Sequence, residues 1–478
     1  MKINRIIALL LAVLCLLSAG ITVFADESQA ESPTPDPVTD NNLVIKNLDT
    51  GKNLIIQSGK AKVYQAGVAA KLMTVLVAYE ILKDAEAMFS VPLCVADADM
   101  KVASDYYLAF KYSETAKSLS LADLVTAATV SSAADACIAL AVGAMRYKAG
   151  EVTDYYGNYD GAVSAALKER AHINDFVALM NARAAELGCE STLFTNCTGI
   201  GDGTSRTTAE DIALIAAALY NYPELVELSD KPSYTLSTGS NQIYNKNALK
   251  SAHDNPTGYT SLENTKGMIV GWMQPRRFCV VTAGEKNGLT YIFVSISENV
   301  PDTGDATAAK VSAYDTVKQF LPWALDSFKY LEVVSPLQAV RSIHVKSGKN
   351  SDSVTIVASK SIELLVTRDL VPEQDIRVEY SYTQQGDLTA PVTKGQKVGE
   401  VTVYLYGDEV DKADLITTAA VSESAALSML DRTKSFLGSA FMMKVYGIAL
   451  SLFVGYLAIA LLLFVYRLVR KYIAAGKE

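Results

Sequence analysis

Three histidines, His172, His253 and His344, lie far apart, and none sits in an H-E-x-x-H arrangement, so metal-assisted hydrolysis has little support. Of the six cysteines, Cys15 lies in an apolar N-terminal stretch; Cys94, Cys137, Cys189, Cys197 and Cys279 follow. Their spacing matches neither a zinc site nor a redox C-x-x-C pair, and their odd number leaves at least one thiol unpaired. They read as small apolar fillers, with a single bridge as the alternative. Asn196-Cys197-Thr198 matches a glycosylation acceptor pattern and is given no weight. With 43 Lys+Arg against 52 Asp+Glu the net charge is −9, which does not favour nucleic acid, whose partners usually show a basic face. No cofactor or metal is called for.

The chain of 478 residues, 50% hydrophobic and 20% charged, is long enough for two or three domains and excludes disorder. Asn42 to Leu54 alternates around a turn at Asp49-Thr50-Gly51-Lys52-Asn53, a hairpin. Lys71 to Leu82 has Leu72, Val75, Leu76 and Tyr79 at helical spacing. Leu121 to Ala144 reads as one alanine-rich helical region. Asp175 to Leu187 is a helix closed by Gly188, and Thr208 to Tyr220 one capped by Thr207 or Thr208. Arg277 to Ala283 and Thr290 to Ser297 are strands around Gly284-Glu285-Lys286-Asn287-Gly288, and Thr307 to Phe328 closes the domain as a helix. Helices enclosed by strands from both ends predict an α+β domain over 42–330 with an antiparallel sheet. From 331 to 420, short strands at 354–357, 362–366, 376–382 and 401–406 predict a small all-β domain.

The two ends place the protein. Residues 1–25 read as a signal peptide: Lys2 and Arg5, an apolar run from Ile6 to Leu17, then Val23-Phe24-Ala25 before Asp26-Glu27. A permanent membrane helix is the alternative. Residues 26–41, with Pro33, Pro35 and Pro37, form a linker. A helical stem over 421–444 leads to Val445–Tyr466, an uncharged run that as a helix would span roughly 33 Å, enough for a bilayer. Arg467, Arg470 and Lys471 follow in a basic tail, 467–478, which predicts a cytoplasmic C-terminus and a body on the extracytoplasmic face of the cell membrane.

Several segments in a shared order carry a resemblance. They are Asp49-Thr50-Gly51-Lys52; Lys71-Leu72-Met73-Thr74 with Glu80; Met180-Asn181 and Leu187-Gly188; Phe194-Thr195-Asn196 with Gly199; Thr207-Thr208-Ala209-Glu210-Asp211; Asn245-Lys246-Asn247; and, late in the chain, Ala390-Pro391-Val392 and Lys394 to Gly399. With these the sequence resembles the exported serine D-Ala-D-Ala carboxypeptidases, the low-molecular-mass penicillin-binding proteins, over nearly its whole length. The resemblance implies a penicillin-binding-protein/β-lactamase-like transpeptidase domain followed by the β domain. It also implies acyl transfer by three motifs: S-x-x-K one helical turn apart, S-x-N, and K-T-G on a strand that binds the substrate carboxylate.

On this chain the motifs are degenerate. Lys71 is present, but Val68 stands where the nucleophilic serine would be. Ser132 survives in the second motif, whose asparagine position is Ala134. In the third, Ile269 and Val270 replace lysine and threonine, and Gly271 alone matches. Thr265-Lys266-Gly267 is an alternative register that keeps a lysine but not the motif order; the strand from Arg276 fits the first register better. Ser113 to Lys117 has the wrong spacing to replace the first motif. The expected outcome is a pseudoenzyme that binds peptidoglycan, a muropeptide or an unnamed wall-synthesis protein. A carboxypeptidase working with displaced residues, such as a Lys71–Ser132 dyad, and a purely structural stalk are the competing readings.

Overall fold

The computed structural model describes residues 41–475 except 58–61, 86, 91–117, 152–161, 201–202, 238–241, 254–260, 274–275, 299–305 and 384–385. The expected signal peptide and Cys94 lie outside the described residues, as does all of the linker but Asn41. That asparagine is fixed: buried, it donates from Nδ2 to the Ser312 carbonyl and Thr316 Oγ1, both at 2.8 Å.

The N-terminal unit, which reaches Phe328, is built on a five-stranded sheet. Its strands are β1 (Asn42–Asn47) and β2 (Asn53–Gln57), then β7 (Thr265–Met273), β8 (Arg277–Lys286) and β9 (Leu289–Ile296), in the order β2-β1-β9-β8-β7. Both expected hairpins form, and β1 joins them by pairing antiparallel with β9, Val44 opposite Val294. Short pairs β3 (Met88–Ser90) with β4 (Ser118–Ser120), and β5 (Ser233–Thr235) with β6 (Gln242–Tyr244), lie between.

The helices are α1 (Gly67–Leu82), α2 (Leu121–Val130), α3 (Ala134–Lys148), α4 (Ala162–Glu186), α5 (Ala209–Tyr220), α6 (Pro223–Asp230) and α7 (Ala306–Ser327). α1 starts four residues before the expected Lys71 and is buried on every side from Gly67 to Ala78, as an all-round apolar helix must be. The expected helical region 121–144 is two helices, because Ser132 takes φ +56° and breaks it. The preceding Ser131 hydroxyl bonds back to the Ala127 carbonyl at 2.8 Å, a local bond that competes with helix continuation. Thr208 is the N-cap of α5, accepting from the Asp211 amide.

The second unit begins at Lys329, two residues before the expected boundary. Its strands are β10 (Phe328–Val334), β11 (Arg341–Lys346), β12 (Ser353–Ala358), β13 (Ile362–Thr367), β14 (Ile376–Tyr382), β15 (Leu388–Thr389), β16 (Lys397–Leu405) and β17 (Asp408–Thr417). Six form a sheet in the order β14-β16-β17-β12-β11-β15, and β10 pairs with β13. A one-turn helix, α8 (Pro372–Asp375), precedes β14. The stem is α9 (Ala425–Leu437), and α10 (Ala440–Ala475) follows directly. Within α10, Ala440–Lys471 is long and apolar enough to cross a membrane.

Candidate active site

Gly67 opens α1 at φ +40°, close to the Trp272 carbonyl, so a β-carbon there would lie only 2.9 Å from that oxygen. The close approach of backbone to backbone sets the first turn of α1 against β7. One turn separates Val68 from Lys71, so both leave the helix on the same side. Lys71 reaches the break between α2 and α3, donating from Nζ to the Ser132 carbonyl at 2.7 Å and to Ser132 Oγ at 2.8 Å. The left-handed turn at Ser132 is what aims both of its oxygens at the amine. From the strand side, Gly271 completes the group: a β-carbon on it would lie 3.0 Å from Val68 Cγ2 and 3.4 Å from Ser132 Oγ. Val68, Lys71, Ser132 and Gly271 therefore meet, drawn from one helix, a turn and a strand.

The surroundings of this group are apolar. Val68, Ala134 and Ile269 belong to one buried cluster, at 1%, 0% and 1% exposure. Val270 is buried but lies outside that cluster. In β7, Ile269, Val270 and Gly271 pair with Val281, Val280 and Cys279. Lys266, the lysine of the alternative register, instead lines a groove with Tyr220, Pro223 and Glu227. Gly267 beside it faces Ser229 and donates its amide to Asp230, whereas Gly271 faces Ser132.

Burial pushes the Lys71 amine down to about 8, against an opposing pull from Cys137 and Asp135 on α3. Asp135, like Cys137, was not a candidate from sequence; its one signal was its place immediately after Ala134. Burial likewise drives the Cys137 thiol up to about 12, which keeps it protonated and inert. Cys137, Cys189, Cys197 and Cys279 are all buried and free, as fillers should be. Among the described residues no group of three or more His, Cys, Asp or Glu side chains could hold a metal ion.

The lowered Lys71 value sets a pH dependence. Between about 8 and the ordinary 10.5 the unfolded chain holds a proton that the folded chain has released, so this residue's contribution to stability rises with pH across that window. Lys71→Met removes the titration. The unfolding free energy of the parent relative to Lys71→Met is expected to increase by about 3 kcal/mol from pH 8 to pH 10.5, at about 1.4 kcal/mol per pH unit. Parallel urea titrations across that range measure it, and a difference independent of pH would rule out a buried, depressed amine.

Around α1 the loop at 194–200 is held by side chains. Asn196 Oδ1 accepts from the amides of Thr198 and Gly199, at 3.0 and 2.8 Å, and its Nδ2 donates to the Ile200 carbonyl. Thr74 on α1 donates to the Cys197 carbonyl at 2.8 Å. The acceptor-like Asn196 is thus a turn former whose amide is already engaged.

Residues 28–299 match the family model for D-alanyl-D-alanine carboxypeptidase, and residues 328–423 that for the penicillin-binding protein 5 C-terminal domain. Among curated proteins, the D-alanyl-D-alanine carboxypeptidase DacC of Escherichia coli is 24% identical over 409 residues, covering 84% of this chain and 88% of that protein. DacF of Bacillus subtilis is 21% identical over 277 residues, 57% of this chain and 66% of the relative. Among solved structures, penicillin-binding protein 6B of E. coli superposes with a TM-score of 0.58 at 19% identity, over 81% of this chain and 98% of that one. Penicillin-binding protein 5 of Haemophilus influenzae gives 0.56 at 20%, over 82% and 99%. At these identities the superpositions establish the shared fold.

Proposed function

The chain belongs to the D-alanyl-D-alanine carboxypeptidase family, and from that premise we propose that it is a catalytically inert member, anchored in the cell membrane by its C-terminal helix. It holds peptidoglycan stem peptides or a wall-synthesis protein through the retained frame. The observation that carries this reading is Val68: at 1% exposure, one turn before Lys71 and against Gly271, it offers no oxygen to attack a carbonyl. Ile269 and Val270 offer no cation to a substrate carboxylate, and burying that carboxylate unpaired is costly. By the topology read from the two ends, the body lies on the extracytoplasmic face and the basic tail in the cytoplasm.

A second reading has one observation behind it. Lys71 Nζ is 2.8 Å from Ser132 Oγ, and an amine lowered to about 8 is in part neutral at physiological pH, so it could take the Ser132 proton. Against it, Ser132 is 1% exposed, and Gly271 lies close against its Oγ.

The body without its C-terminal helices, residues 41–424, is the material for the test. It is incubated with a fluorescent penicillin, with a D-Ala-D-Ala peptide, and with insoluble wall fragments. The expected result is no labelled band, no released D-alanine and co-sedimentation with the fragments. A labelled band that disappears in Ser132→Ala would replace inertness with the displaced dyad. Failure to co-sediment would leave an inert protein with no wall-binding role.

A further inference from the structure

The six-stranded sheet has two edges, β15 and β14. β15 is two residues long, too short to template another strand. β14 is seven residues, pairs with β16 in unbroken register from Ile376 to Tyr382, and carries no proline, lysine or bulge. Natural proteins protect sheet edges with such devices or with charge; here the charges are only Arg377 and Glu379, whose opposite signs leave the edge self-complementary. Along β14, Ile376, Val378, Tyr380 and Tyr382 share one face, while Arg377, Glu379 and Ser381 share the other. Tyr380 is 46% exposed, although Ile376, Val378 and Tyr382 lean on the domain core.

We propose that β14 pairs antiparallel with β14 of a second copy about a two-fold axis through Val378. A two-fold normal to the sheet keeps each face on its own side and therefore requires a residue at its centre. Centred on Val378, it sets Arg377 opposite Glu379 of the second copy, twice over, and Ile376 opposite Tyr380. Moved one residue either way, it sets Arg377 against Arg377 or Glu379 against Glu379. Opposite charges facing across strands stabilise a pair and like charges destabilise it. The strand's own charge order thus favours a second copy in the register centred on Val378 over either neighbouring register. Arg377 is already held in place for this: it pairs with Glu379 along the strand, and its guanidinium lies 4.3 Å over the Tyr404 ring. Two chains anchored by Ala440–Lys471 would also meet within one plane, which raises the effective concentration a short edge needs.

The test uses the full chain in lipid vesicles. Val378→Cys puts two thiols at the axis, and mild oxidation is read as a dimer band on a non-reducing gel. The expected yield is at least tenfold above that of the unsubstituted chain, whose native cysteines provide the background. Adding Arg377→Glu should return the yield to background by setting Glu against Glu. Adding Glu379→Arg as well should restore it, which also shows that the variants fold. The proposal is overturned by absence of a dimer band in Val378→Cys, by a band that survives Arg377→Glu, or by a charge swap that fails to restore it.

Discussion

The variant carrying Val68→Ser, Ala134→Asn, Ile269→Lys and Val270→Thr together is expected to form a covalent adduct with a fluorescent penicillin, where the parent forms none. The size of the effect follows from the chemistry removed. In a well-studied serine protease, loss of the nucleophile alone costs on the order of a million-fold in turnover. Here a serine at position 68 would stand one helical turn from an amine already lowered to about 8, the state a proton acceptor needs. Val68→Ser by itself is expected to give no measurable adduct. Position 134 would still offer no amide, and position 269 no cation to meet the carboxylate of the ligand. The restored variant is also expected to melt below the parent, because Ile269→Lys places an ammonium where 1% of the side chain is exposed. Labelling with mass confirmation, alongside a thermal melt, separates the outcomes. A folded variant that fails to label would mean that the backbone no longer holds acyl-transfer geometry, and the frame would then be a binding scaffold alone.

How far the sequence reached depended on the range of each interaction. The spacing of Val68 and Lys71 was legible because one helical turn is a local fact. The caps at Thr208 and Gly188 were legible for the same reason: a single side chain or a single positive φ ends a helix. The break at Ser132 was not legible. The run from Ala127 to Ala136 is alanine-rich, with no glycine or proline to mark a stop, and the bonds that Lys71 makes to both oxygens of Ser132 at the turn come from a residue 61 positions away. Nor could spacing alone bring Gly271 to Val68, since that contact depends on the whole sheet being assembled. Only the order of family-like segments anticipated it. β17 was missed for a different reason. Its sequence, DEVDKADLIT, is dominated by exposed charges, and Ala413, Leu415 and Thr417 alone face the core, so its strand character comes from pairing with β16 and β12.

Gly199→Ala is expected to destabilise the N-terminal domain by about 3 kcal/mol or more, and to do so at the site. Gly199 has φ +72°, a conformation that costs a residue with a side chain about 1–2 kcal/mol. Its neighbour adds the larger part. A β-carbon there would lie 1.9 Å from the carbonyl oxygen of Gly67, a backbone atom that cannot rotate out of the way. Either the 194–200 loop or the start of α1 has to move. Moving the loop strains the Asn196 bonds to the amides of Thr198 and Gly199 and the Thr74 bond to Cys197; moving α1 shifts Val68 and Lys71. Gly203→Ala is the control. Gly203 has a similar φ, +79°, but open space where its β-carbon would go, so it should show only the conformational cost. Urea denaturation of the two variants isolates the contact as the difference between them. If Gly199→Ala costs no more than Gly203→Ala, the loop does not press on α1. In the four-residue restored variant, adding Gly199→Ala is expected to abolish acylation while Gly203→Ala leaves it, because only the first displaces the turn that carries the nucleophile and its lysine.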